Sequence, residues 1–425
     1  MQSGYYAYSC LTTYSGRRNA LFLFLIFITG FCFLLPAQSV WQVYNTSNSP
    51  MPDNTIRCLH KDATGALWVG TDNGLVKIIA NQFTVYHTAN SSLPSNQIRS
   101  ITTDKNGTLY VGTLQGGFAV LQNDTFTVFN TQNSSLPDNQ VNCMQTDTSG
   151  NLWVGTAGGL LHITDEGWTV YNMQNSPLGS IHIAAIYVTP DDVKWIGTIN
   201  GGIARKAGNL WSIFKTTNSG LADNTVLDFS ADTTGNIWFA TPAQGMGMFN
   251  GTSWFYRITA NSNIPTNALT QVEVASATDF KYIGSVDKGL ILWRNAMAFD
   301  SFTVVNSPMP DNHVTSLLLY DDTTVYIGTL AGGLVKFTDT LAAFYLHTPD
   351  ILYEELVVYP NPADTYIHLA VPDYCLVNIF NIYGQLVRQM QPTDGQLDVS
   401  ALHAGVYRFT AKQSGRVFIG KFLKR

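Results

Sequence analysis

The sequence predicts an all-β chain: a seven-bladed β-propeller followed by a small β-sandwich. Three observations predict it. A four-residue phrase recurs seven times at a nearly constant step, short β-branched and aromatic runs fill each step, and the repeats stop abruptly near residue 350. The phrase is Trp68-Val69-Gly70-Thr71, and its later copies begin at Tyr110, Trp153, Trp195, Trp238, Tyr282 and Tyr326. The steps are 42, 43, 42, 43, 44 and 44 residues. A step of about 40–45 residues is the length of a four-stranded propeller blade.

The chain opens with Arg17-Arg18 and an apolar run from Ala20 to Leu35, followed by Pro36-Ala37-Gln38. A positive region, a short apolar run and a small residue read as a secretory signal peptide over residues 1–37, cut after Ala37. The run is shorter than the roughly 20 residues a membrane span needs, so no span is expected after the cut; an uncleaved anchor is the alternative. The propeller is expected over residues 39–348. Its first strand, Trp41-Gln42-Val43-Tyr44, resembles the last strand of each unit, such as Phe83-Thr84-Val85-Tyr86. An end strand that comes first in sequence suggests that it completes the last blade and removes an open sheet edge. The segment Leu341 to His347 competes for the same position.

Each unit then repeats a fixed order. An apolar run such as Thr55-Ile56-Arg57-Cys58-Leu59 comes first. In four units a tight turn follows, Asp62 to Gly65, Asp104 to Gly107, Asp147 to Gly150 and Asp232 to Gly235. Asp at the first position and Gly at the fourth suit a type I turn. The aromatic-led phrase, a Gly turn and two more short strands complete four strands per unit. The leading Trp or Tyr is expected to wedge between adjacent blades, where burial of its area stabilises most. The Gly two residues later leaves room for the neighbouring sheet.

Between units runs a connector close to Asn-Ser-x-Leu-Pro-x-Asn, ending at Asn54, Asn96, Asn139, Asn224, Asn267 and Asn312. Unit four replaces it with Leu178-Gly179-Ser180. Pro and Asn set turns and cap free N–H groups. The functional alternative is that these six Asn ring the mouth of the central channel and offer amide groups to a polar ligand.

A linker is expected at residues 349–354 and a sandwich over 355–425, with strands at Tyr366–Ala370, Leu376–Ile382, Gln385–Met390, Gln396–Val399, Gly405–Ala411 and Val417–Phe422. Composition restricts function. Only 12% of residues are charged and the net charge is −6, so nucleic acid is not an expected partner. Cys58, Cys143 and Cys375 are widely spaced and form no disulfide framework or zinc motif. Eight His are scattered, and no catalytic or cofactor motif is present, so no catalytic residue, metal or cofactor is expected. Each Asp turn offers one clear carboxylate, short of the six to eight oxygens of a calcium site. Asp191-Asp192 and Asp321-Asp322 are the paired carboxylates on which an alternative, glycan-cleaving reading would rest.

Two resemblances follow from these residues. The phrase from Asn54 through Asp62-x-x-Gly65-x-x-Trp68-Val69-Gly70-Thr71 to Gly74-Leu75 resembles the two-component-regulator propeller repeat. That resemblance implies an extracytoplasmic sensor-like propeller of the kind associated with carbohydrate recognition, although no kinase, receiver or DNA-binding segment follows the repeats. The phrases Tyr359-Pro360-Asn361-Pro362-Ala363, Ile382-Tyr383-Gly384-Gln385 and Asp398-Val399-Ser400-Ala401-Leu402-x-x-Gly405-Val406-Tyr407, with the basic ending Lys421 to Arg425, resemble the type A C-terminal sorting domain of type IX secretion in Bacteroidota-type bacteria. This implies that Tyr359, Pro360, Asn361, Pro362, Gly384, Gly405 and Tyr407 belong to a sorting motif, with the type IX machinery as partner. The expected product is a non-catalytic propeller, secreted or held on the outer-membrane surface, that binds a glycan or a surface protein. A part in the secretion apparatus itself is a further alternative.

Overall fold

The computed structural model describes residues 40–122, 125–295, 298–339, 342, 352–369, 375–382, 385–413 and 416–425. The expected signal peptide lies outside them. Among the described residues no helix is long and apolar enough to cross a membrane.

Seven four-stranded antiparallel sheets form the propeller. Blade 1 contains Ile56–Lys61, Leu67–Thr71, Gly74–Ile79 and Gln82–Tyr86. The first strands of the later blades are Ile98–Thr103, Val141–Thr146, Ile183–Val188, Asp228–Ala231, Leu269–Val274 and Val314–Leu319. Each touches the first strand of the next blade, and the seventh touches the first, so these strands form a closed inner wall around an axis. Blade 7 has three strands of its own. Its fourth is Val40–Tyr44, paired antiparallel with Leu334–Thr338 from Val40↔Thr338 to Tyr44↔Leu334. The competing segment Leu341 to His347 lies, apart from Ala342, outside the described residues.

The hydrophobic core is divided the same way. Seven clusters of buried side chains each join two adjacent blades. Trp68 of blade 1 packs with Ile98, Val111 and Phe126 of blade 2, and Trp153 of blade 3 packs with Ile183 and Ile196 of blade 4. The leading aromatic residue is therefore the wedge between sheets. The phrase's Gly provides the space beside it. A Cβ placed on Gly155 would lie 2.6 Å from Ile183 Cγ2 of the next blade.

The C-terminal domain holds a five-stranded sheet and a two-stranded sheet around one core that includes Ile367, Val377, Leu397, Phe409 and Phe422. Its strands are Leu352–Glu355, Tyr366–His368, Val377–Phe380, Leu386–Met390, Gln396–Asp398, Gly405–Gln413 and Arg416–Lys424. Leu352–Glu355 pairs parallel with Arg416–Lys424, so the segment read as a linker at 349–354 already contributes to this sheet.

Candidate functional site

Antiparallel order fixes which loops share a face of the ring. Turns between first and second strands lie on one face, and the connectors between blades lie on the other. Asp62 shows what the first kind of turn does. Its Oδ1 accepts the N–H groups of Thr64 at 2.9 Å and Ala66 at 3.0 Å, and its Oδ2 accepts the indole N–H of Trp68 at 2.8 Å. Asp147 and Asp232 hold Trp153 and Trp238 in the same way. Burial opposes the charge on these three carboxylates, but the hydrogen bonds outweigh it and hold each pKa below the usual value. The turn thus fixes both its own loop and the interblade wedge.

Blades 4 and 6 lack that Asp turn, and each sends a lysine towards the wedge of the preceding blade. Lys194 Nζ, nearly buried, lies 2.6 Å from Asp192 and 3.5 Å from Asp147 of the preceding blade. Lys281 Nζ sits 4.8 Å from the Trp238 ring and 2.7 Å from Asp279. This arrangement places the two carboxylate pairs singled out in sequence. Asp192 is committed to Lys194 and also accepts the Thr148 hydroxyl at 2.8 Å, whereas Asp191 is exposed. Asp321 accepts the N–H groups of Thr323 and Thr324 in its own turn, and Asp322 is exposed.

The six connector asparagines share one geometry. Each Oδ1 accepts a backbone N–H eight residues earlier, as in Thr46 to Asn54, Thr88 to Asn96 and Thr131 to Asn139, all at 2.8–2.9 Å. Asn224, Asn267 and Asn312 repeat this with Thr216, Thr259 and Val304. Their own carbonyls accept from the Gly turn of a neighbouring blade, Gly74 N–H to Asn96 being 2.8 Å. These residues shape the connector face, and their side-chain oxygens are already engaged.

Two features of the ring were not singled out in the sequence. On the inner wall Asp228 and Glu273 stand on the first strands of blades 5 and 6, both half-buried. Burial pushes Asp228 up to about 7 against the opposing N–H bonds of Val272 and Phe229. Burial, then the nearby Asp228 charge, pushes Glu273 up to about 8. His60, on the wall of blade 1, is driven down to about 4 by burial despite Asp62, so it is neutral near pH 7. The signal that would have found the carboxylates is the acid itself, set inside a first-strand run such as Leu269–Val274.

The second feature is a groove of about 630 Å³ on the flank between blades 4 and 5. Trp195, Phe214, Phe249 and Trp254 line it, with Asp191, Arg205, Ser212 and Asn218 as polar groups. The Phe249 and Trp254 rings are 4.5 Å apart, and Arg205 lies over the Trp195 ring at 5.8 Å. Among the described residues lining it, Asp191 is the only carboxylate. No cluster of His, Cys, Asp or Glu among the described residues has a metal-binding arrangement.

In the C-terminal domain Tyr359, Pro360, Asn361 and Pro362 form a bend beside the last strand. Asn361 Oδ1 accepts the Leu423 N–H at 2.9 Å. Tyr407 is buried in the core and its hydroxyl donates to His403 at 2.8 Å, while Gly405 starts the strand that carries it. Gly384 lies outside the described residues.

Comparison with known proteins agrees with both parts of the chain. Residues 357–425 match the family model of the Secretion system C-terminal sorting domain. Residues 50–73, 92–115 and 135–158 match that of the Two component regulator propeller. No curated protein matches. Among solved structures, an extracellular domain of the BT3049 two-component system of B. thetaiotaomicron is similar, with a TM-score of 0.62 and 17% identity over 91% of this chain and 58% of that one. PorZ, a surface component of the type-IX secretion system of Porphyromonas gingivalis, gives 0.55 and 16% over 90% and 60%. The chain thus spans about three fifths of these two structures. Virginiamycin B lyase from Staphylococcus aureus gives 0.58 and 13% over 71% of this chain and 99% of that one. At these identities the likeness is one of fold. The chain carries two-component-regulator propeller repeats and a type IX sorting domain, which indicates export to the surface or the medium.

Proposed function

We propose that the exported propeller is a non-catalytic binding protein whose ligand is a glycan, held in the groove between blades 4 and 5. The single observation that carries this reading is the chemistry of that groove. Sugar rings present apolar faces to aromatic side chains and hydroxyls to charged or amide groups. A concave site lined by aromatic residues with a few polar groups is the usual form of a small-ligand site. Asp191, Arg205 and Ser212 supply the polar groups here.

The same groove argues against glycan cleavage. Glycoside hydrolysis uses two carboxyl groups about 5–9.5 Å apart. Asp191 is the only carboxylate among the described lining residues, and Asp192 is held by Lys194. The connector asparagines Asn54, Asn96, Asn139, Asn224, Asn267 and Asn312 are a secondary proposal. Each Oδ1 already accepts one backbone N–H, which leaves a second lone pair and, except in Asn224 whose Nδ2 donates to Thr216, the Nδ2–H groups to offer a ligand. A surface protein bound across that face is the alternative partner.

Titration of the purified chain against a polysaccharide panel tests the assignment. Wild type is expected to bind at least one polysaccharide without releasing reducing ends. Arg205→Ala, a rim change, and Trp254→Ala are each expected to weaken binding on the order of tenfold, equivalent to about 1.4 kcal/mol. Equal binding by both variants would remove the groove from the account. Turnover abolished by Asp191→Asn would replace binding with catalysis.

A further inference from the structure

We propose that the outer edge of blade 6 is a docking surface for the chain's own C-terminal domain, fastened by Arg408. Arg408 lies on the strand Gly405–Gln413, whose Tyr407 and Phe409 point into the domain's core. Its side chain therefore points outward from the five-stranded sheet. There it pairs with Asp300 of the strand Ala298–Phe302, the outermost of blade 6.

Asp300 belongs to a row of alternating charges. Its Oδ2 accepts from Arg294 Nη1 at 3.0 Å, and Arg294 Nη2 donates at 2.8 Å to Asp339. Asp339 is fully buried and also accepts the Tyr282 hydroxyl at 3.2 Å. Within the propeller the row holds two carboxylates and one guanidinium. Arg408 is the fourth member and brings its charge to zero. The Asp300 and Arg408 side chains are 27% and 25% exposed, so the pair is partly withdrawn from water and less screened than a free surface ion pair.

The chain's path supports the same contact. Ala342 is buried against the core between blades 6 and 7, and its N–H reaches Asp339 at 3.4 Å. The propeller thus releases the chain beside the charged row. Leu352, ten positions later, already starts the C-terminal sheet. Ten residues span at most about 36 Å, which keeps Arg408 at high effective concentration near Asp300. The proposal makes the address domain a seated part of the folded molecule and does not depend on what the propeller binds.

The test uses the full chain without its leader. Small-angle scattering reports whether the two parts form one compact particle, and limited proteolysis reports access to residues 343–351. Wild type is expected to be compact and slowly cut. Arg408→Glu, which leaves the propeller untouched, is expected to broaden the particle and raise cleavage on the order of tenfold or more, as loss of a close charge pair does. Asp300→Arg in the same chain as Arg408→Glu is expected to restore both readouts. An extended wild type, an Arg408→Glu chain identical to wild type, or no recovery in the double variant would overturn the proposal.

Discussion

Five carboxylates in this ring form two groups with opposite electrostatic consequences. Asp62, Asp147 and Asp232 have pKa values held down by turn and indole hydrogen bonds that outweigh burial. A depressed folded value contributes stability above the unfolded pKa, and that stability is lost as pH falls through the folded value. Asp228 and Glu273 are pushed up by burial, to about 7 and about 8. A raised folded value works the other way. Its contribution is complete below the unfolded pKa, near 4, and is lost as pH rises through the folded value. The urea midpoint is therefore expected to fall below about pH 4 and to decline again between about pH 5 and 8. The Asp228→Asn, Glu273→Gln double variant should abolish the upper decline and leave the acid limb in place. A profile unchanged by that variant would mean that the two acids are not the groups that titrate.

At the scale of a strand, the controlling dimension is the distance between neighbouring blades. Each first strand except that of blade 5 carries a register shift against its partner, and the phrase's Gly sits beside it. In blade 5 the phrase has Ala240 instead, and Ala240 pairs with Asp228 as Gly70 pairs with Cys58 in blade 1. One methyl is thus accommodated in the same register. Gly155→Ala is expected to destabilise by about 1–3 kcal/mol through overpacking against Cys143 Sγ and Ile183 Cγ2. Cys143→Ala in the same chain, which removes the nearest atom, should recover part of that, measured as a urea midpoint. An additive double variant would show that the two sites do not meet. This spacing was readable in advance, because Trp-x-Gly at a fixed step reports both wedge and gap. The Asp turn was readable as a turn, but not as the partner of the indole six residues later. Lys194 and Lys281 were not readable, since a lone lysine before an aromatic residue carries no local signal. The groove between blades 4 and 5 was hidden for a related reason: its lining is drawn from six separate stretches of chain, and only the fold brings them together.

The whole molecule depends on one strand that begins the described chain and ends its last blade. Val40–Tyr44 covers the edge of Leu334–Thr338, and Trp41 stacks near Phe337 at 4.4 Å and Phe302 at 5.4 Å. Tyr44 joins the core shared by blades 7 and 1, so the same five residues close the sheet and the ring. An exposed edge is a template for intermolecular pairing. The expected leader cut after Ala37 leaves this strand intact by two residues, a narrow margin. Removal of residues 40–44 is expected to abolish the single cooperative melt and to produce oligomers on size exclusion. Trp41→Ala keeps the backbone pairing and removes only the ring contacts, so it should remain monomeric and lose about 2–4 kcal/mol, near the lower range for a large aromatic truncation. If the shortened chain melted as one unit and stayed monomeric, closure would rest on contacts between blades alone, and the first strand would be an ornament of blade 7.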